Sequence, residues 1–86
     1  MDRVIISINN KKRFILKDND RYRYNDKELD NDLVEEFILK LIKMCRSRER
    51  LNNKSNHRID IYENNKVITL TGIDNQVIKY INNFLN

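Results

Sequence analysis

Short runs of β-branched and aromatic residues, cut apart by pairs of Asn and Asp, constrain this chain most. Val4-Ile5-Ile6-Ser7-Ile8 reads as a strand with Val4, Ile6 and Ile8 on one face and Ile5 and Ser7 on the other. Asn9-Asn10 tolerates positive φ and makes a hairpin turn. Arg13 to Lys17 follows as a second strand, in which Phe14 and Leu16 share one face and Ile15 takes the other. Asp18-Asn19-Asp20 is the next turn, Arg21-Tyr22-Arg23-Tyr24 a third strand, and Asn25-Asp26-Lys27 its end. Further on, His57 to Tyr62 and Val67 to Thr71 flank a turn over 63–66 and read as a second hairpin.

Between these hairpins the period changes from two to about 3.6. Leu33, Val34, Phe37, Ile38, Leu41, Ile42 and Cys45 form the double stripe of an amphipathic helix. Asp32 with Glu35 has the spacing of a capping box, and Arg46, Arg48 and Arg50 crowd the far end, as the helix dipole prefers. Leu39 and Met44 lie off the stripe, which points to a second apolar contact. Residues 52–56 read as a polar loop. Asp74 is a good N-cap for a second helix carrying Val77, Ile78, Ile81, Phe84 and Leu85. The expected order is β-β-β-α-β-β-α: an α+β fold, an antiparallel sheet with both helices on one face, forming a single domain over residues 1–86. The other face is expected to carry Ile5, Ile15 and Val67 among polar residues.

Composition narrows the chemistry. The 86 residues include one histidine, one cysteine and one glycine. One cysteine excludes a disulfide framework and a cysteine-rich zinc site, and it suits a reducing compartment; the chain is read as cytoplasmic. One glycine cannot build a phosphate-cradling loop. Cys45 sits on the helix stripe and reads as a small core residue; His57 reads as a strand-entry residue. Asp18-Asn19-Asp20 opens like a calcium loop, but Arg23 stands where that loop needs glycine and Leu29 where it needs Glu. No enzyme active site, cofactor or metal is expected. The excess of Asn, Ile and Lys matches translation of AT-rich DNA, as in phages, mobile elements and low-GC bacteria.

Charge carries the rest. The net charge of +4 is uneven: residues 1–27 hold eight Lys/Arg against four acids, and residues 46–58 five against one. If Tyr22 and Tyr24 face the helices, Arg21 and Arg23 face outward beside Ile5, Ile15 and Lys17. Two functions compete. The first is a small non-catalytic protein-binding regulator or inhibitor, in the manner of a phage or mobile-element accessory protein that blocks a host enzyme or defence complex. Its contacts would be Ile5, Ile15, Lys17, Arg21, Arg23, Leu39, Met44, Arg46, Arg48 and Arg50, and homodimerisation through one of these surfaces fits as well. The second is a basic nucleic-acid-binding module using Lys11, Lys12, Arg13, Arg21, Arg23, Arg46, Arg48, Arg50 and Arg58. A three-strand start places Lys11–Arg13 and the 46–58 cluster at opposite ends of the sheet, which weighs against the second reading. No membrane association is expected.

Overall fold

The computed structural model describes residues 2–48 and 56–86. It contains β1 (Arg3–Ile8), β2 (Lys11–Asp18), β3 (Arg21–Tyr24), β4 (Lys27–Leu29), α1 (Asn31–Arg48), β5 (Arg58–Glu63), β6 (Lys66–Leu70) and α2 (Asn75–Leu85). The strands form one antiparallel sheet in the order β4-β3-β2-β1-β5-β6. The α+β class and the two hairpin systems are as expected. β4 is an addition to them.

Each hairpin turn is a two-residue loop of Asn or Asp. Asn9-Asn10, Asn19-Asp20, Asn25-Asp26 and Asn64-Asn65 all have φ between 48° and 66°. Two successive positive φ values define the type I′ turn, whose twist matches that of the flanking strands. Asn and Asp tolerate this region because their short polar side chains bond locally. The expected polar loop over 52–56 lies outside the described residues, apart from Asn56.

Two-residue turns fix register, and register fixes faces. Val4 pairs with Ile15, Ile6 with Ile59 and Val4 with Ile61, and all of these are buried beneath the helices. Tyr22 joins them, 2% exposed, with Tyr24 half-buried beside it, so the tyrosines face the helices. From α1 come Val34, Phe37, Ile38, Leu41 and Cys45, and from α2 Val77, Ile81 and Leu85. Phe37 stacks on Phe84 with centroids 4.1 Å apart and tilts against Tyr80 at 5.3 Å, which locks the two helices together. Cys45 is a buried core residue, as its place on the stripe implied.

The second helix starts with the expected cap, and the first does not. α1 is capped by Asp30 rather than Asp32: the Asp30 carboxylate accepts from the backbone N–H groups of Asp32 (2.9 Å) and Leu33 (3.1 Å). Leu33 falls off the buried stripe and is 56% exposed. α2 is capped by Asp74, which accepts from Val77 N–H at 3.0 Å. Gly72, at φ 70°, takes the left-handed turn that leads into it.

Burial pushes the phenol of Tyr22 above its ordinary value of 10.0, helped by Glu35, Glu63 and Asp2, and burial does the same for Tyr80, helped by Glu36. A raised phenol means that the folded state favours the neutral ring. The stability this contributes is complete below about pH 10, the unfolded value, and is lost as pH rises through the raised folded values. Alkaline titration followed by phenolate absorbance should therefore show Tyr22 and Tyr80 ionising late, together with loss of helical circular dichroism.

Candidate surface on the open sheet face

The residues between the buried positions build the other face of the sheet. The register sets them in cross-strand rows. One row runs Val67, Tyr62, Arg3, Leu16, Arg23, Glu28. The next runs Thr69, Asp60, Ile5, Phe14. A third runs Arg58, Ser7, Lys12. Among the described residues no helix covers this face. Phe14 is 45% exposed, Leu16 48% and Val67 50%, and Ile5 is half-buried between its neighbours. Phe14 and Leu16 are two apart on one strand and Ile5 lies opposite Phe14, so the three make one contiguous apolar strip. The Arg3 guanidinium lies over the Tyr62 ring at 4.2 Å and carries that strip on toward Val67.

One carboxylate is buried on this face. Asp60 is 4% exposed; it accepts from Arg58 Nε at 2.9 Å and from the Thr69 hydroxyl at 2.7 Å. With both oxygens satisfied, it ties β5 to β6 and orients Arg58. Asp60→Ala should cost about 1–3 kcal/mol by removing two hydrogen bonds to a buried charged acceptor. A shift of the urea midpoint at constant m would show it. The Arg58 contribution stays small, because that side chain is 61% exposed.

Several expected positions move. Ile15, expected outward, is fully buried under the helices, because its partner is Val4. Lys17 lies on the helix side too, opposite Tyr22, with its ammonium 5.5 Å from that ring. Phe14 and Leu16 take the outward places instead. Arg21 and Arg23 do face outward; Arg21 is paired with Glu28 at 2.9 Å. Met44 is half-buried against the core, whereas Leu39 stands 61% exposed on α1. Arg48 ends α1, and Arg50 lies outside the described residues.

The positions of the basic residues change most. β4 reverses the chain once more before α1. The helix therefore begins beside the Asn19-Asp20 turn, where the Asn31 side-chain amide donates to the Asp20 carbonyl at 2.7 Å. It ends at the Asn9-Asn10 end of the sheet. There Asn9 N–H donates to His57 Nδ1 at 3.2 Å, and Arg46 lies beside Leu70 and Thr71. The expected separation of Lys11–Arg13 from Arg46 and Arg58 is thus overturned; Arg50 and Lys54 of that cluster lie outside the described residues. Lys12 and Arg58 flank Ser7 in one row, Lys11 and Arg13 sit on the helix side of the same hairpin, and Arg46 is exposed at the same end.

Among the described residues no three or more His, Cys, Asp or Glu side chains gather as a metal site, and no helix is long and apolar enough to cross a membrane. Among the described residues the architecture is two-layer α+β, with one sheet face under two helices and no helix on the other. No family model, curated protein or solved structure matches the chain.

Proposed function

We propose that this chain is a small non-catalytic protein-binding module, a regulator or inhibitor that covers a partner with the open face of its sheet. The observation that carries this reading is the strip of half-buried Ile5 and exposed Phe14 and Leu16, on a face that no helix covers among the described residues, framed by Arg3, Arg23 and Lys12. An aromatic side chain and a leucine set among arginines have the anatomy of an interface: an apolar centre excludes water, and a charged rim steers the partner. The matching surface is an apolar cleft with an acidic margin. The AT-rich codon bias fits an accessory protein of a phage or mobile element, whose partner would be a host enzyme or defence complex met in the cytosol.

A second reading, nucleic-acid binding, draws on the gathering of Lys12, Arg58 and Arg46 at one end of the sheet. Tyr22 and Tyr24, which could have served as stacking platforms for bases, face the core instead. Arg21 and Arg58 are already paired with Glu28 and Asp60. A salt titration separates the two. An interface centred on Phe14 and Leu16 should keep its affinity as salt rises, whereas binding through phosphates should weaken steeply, with a log–log slope close to the number of neutralised phosphates. Steep salt dependence on duplex or single-stranded DNA or RNA, unchanged by Phe14→Glu, would replace the first reading with the second.

A further inference from the structure

The two edges of the sheet are unlike. β4 is three residues long and carries Lys27 and Glu28, the short charged form that discourages edge pairing. β6 is five residues long, has no proline, and is free of charge after Lys66. Among the described residues no element pairs with its outer edge. Val67 and Ile68 are both about half exposed, one on each face (50% and 45%). We propose that β6 pairs antiparallel with β6 of a second copy of this chain, joining two sheets into one of twelve strands.

The backbone phase supports this occupant. Asn64-Asn65 is a two-residue loop with both φ values positive, so the flanking Glu63–Lys66 pair exchanges hydrogen bonds. Alternation gives Ile61–Ile68 and Ile59–Leu70 the same role, and Val67 and Thr69 then turn their N–H and C=O groups to the open edge. A two-fold axis along the sheet normal keeps each residue on its own face, so opposing residues must share a face. Centring the axis on Ile68 meets this and pairs Val67 with the partner's Thr69 in both directions, so every outward group within the strand finds its complement. Lys66 falls opposite the partner's Leu70, about 13 Å along the strand from the other lysine, beyond the Debye length in ordinary buffer. The edge thus accepts a copy of itself without setting lysine against lysine, although the partner's Lys66 then falls near Arg46, which lies beside Leu70. It offers no acid and only one terminal cation, which gives a strongly charged partner little to read.

Side chains fit the same axis. Ile68 meets its counterpart on the helix side, next to a groove of about 200 Å³ between α1 and β6 lined by Ile42, Cys45, Arg46 and Leu70. Neither Phe14 nor Leu16 is covered, so the pairing leaves the open face free and does not depend on the function proposed for it.

Sedimentation equilibrium of the full chain should show a dimer. Val67→Pro removes an outward N–H without touching a β5–β6 bond, and Ile68→Lys sets two ammonium groups together at the axis. Each should raise the dissociation constant by roughly tenfold or more while the circular dichroism stays that of the wild type. A wild-type chain that is monomeric at NMR concentrations would overturn the proposal, as would a dimer unaffected by either folded variant. Amide exchange in the wild type tests it without any substitution. The Val67 and Thr69 amides should be protected in concentrated solution and exchange faster on dilution; fast exchange at every concentration would contradict the pairing.

Discussion

Phe37→Ala should unfold this protein or bring it close to unfolding. Phe37 is 1% exposed and stands where α1, α2 and the sheet meet, stacked on Phe84 and tilted against Tyr80. Truncating a buried Phe costs about 3–5 kcal/mol, in lost transfer energy and in the cavity left behind. A chain of 86 residues has a net stability of about 4–13 kcal/mol. The loss is therefore a large part of the total, and no disulfide limits it, since Cys45 is the only cysteine. Urea denaturation followed by circular dichroism should show the midpoint collapsing toward zero. Phe84→Leu keeps most of the volume and loses mainly the stacking, so it should cost less, about 1–1.5 kcal/mol.

Leu16→Glu and Phe14→Glu should do the opposite: abolish binding and leave the fold intact. Both side chains are already about half in water, and among the described residues no helix packs on them. Their removal should change stability by under about 1 kcal/mol. In an interface centred on them, each substitution sets a carboxylate against a desolvated apolar surface. The expected loss is about 2 kcal/mol or more, roughly 30-fold in Kd. Ile15→Glu is the informative contrast. Ile15 is their neighbour on β2 but is wholly buried, so the same charge there should unfold the domain.

That contrast also shows how far the residues alone spoke. The hairpins, the helix stripe and the Asp74 cap were legible because each obeys a local rule: Asn/Asp turns, a 3.6 period, a capping carboxylate. Faces in β2 were not, because Phe14-Ile15-Leu16 is apolar at every position and alternation has nothing to work on. The missing signal was the two-residue Asn9-Asn10 turn. It forces Ile8 opposite Lys11, and hence Val4 opposite Ile15, which settles the face of every β2 residue. The Asn19-Asp20 turn likewise puts Lys17 beside Tyr22. β4 escaped notice because three residues, two of them charged, give no periodicity, although Asn25-Asp26 has the same turn chemistry as its neighbours. Missing that one short strand reversed the direction assigned to α1 and separated basic residues that in fact share an end of the sheet.

We propose the open sheet face as a protein-binding surface. Its most direct test is a paired capture in which wild-type and Leu16→Glu proteins serve as bait in extract from the native cells, with nuclease treatment and washes at low and high salt. A protein held by the wild type through the high-salt wash and absent from the Leu16→Glu bait is the predicted result. Equal retention on both baits at low salt, abolished by nuclease or by high salt, would contradict it and assign the function to the basic end of the sheet.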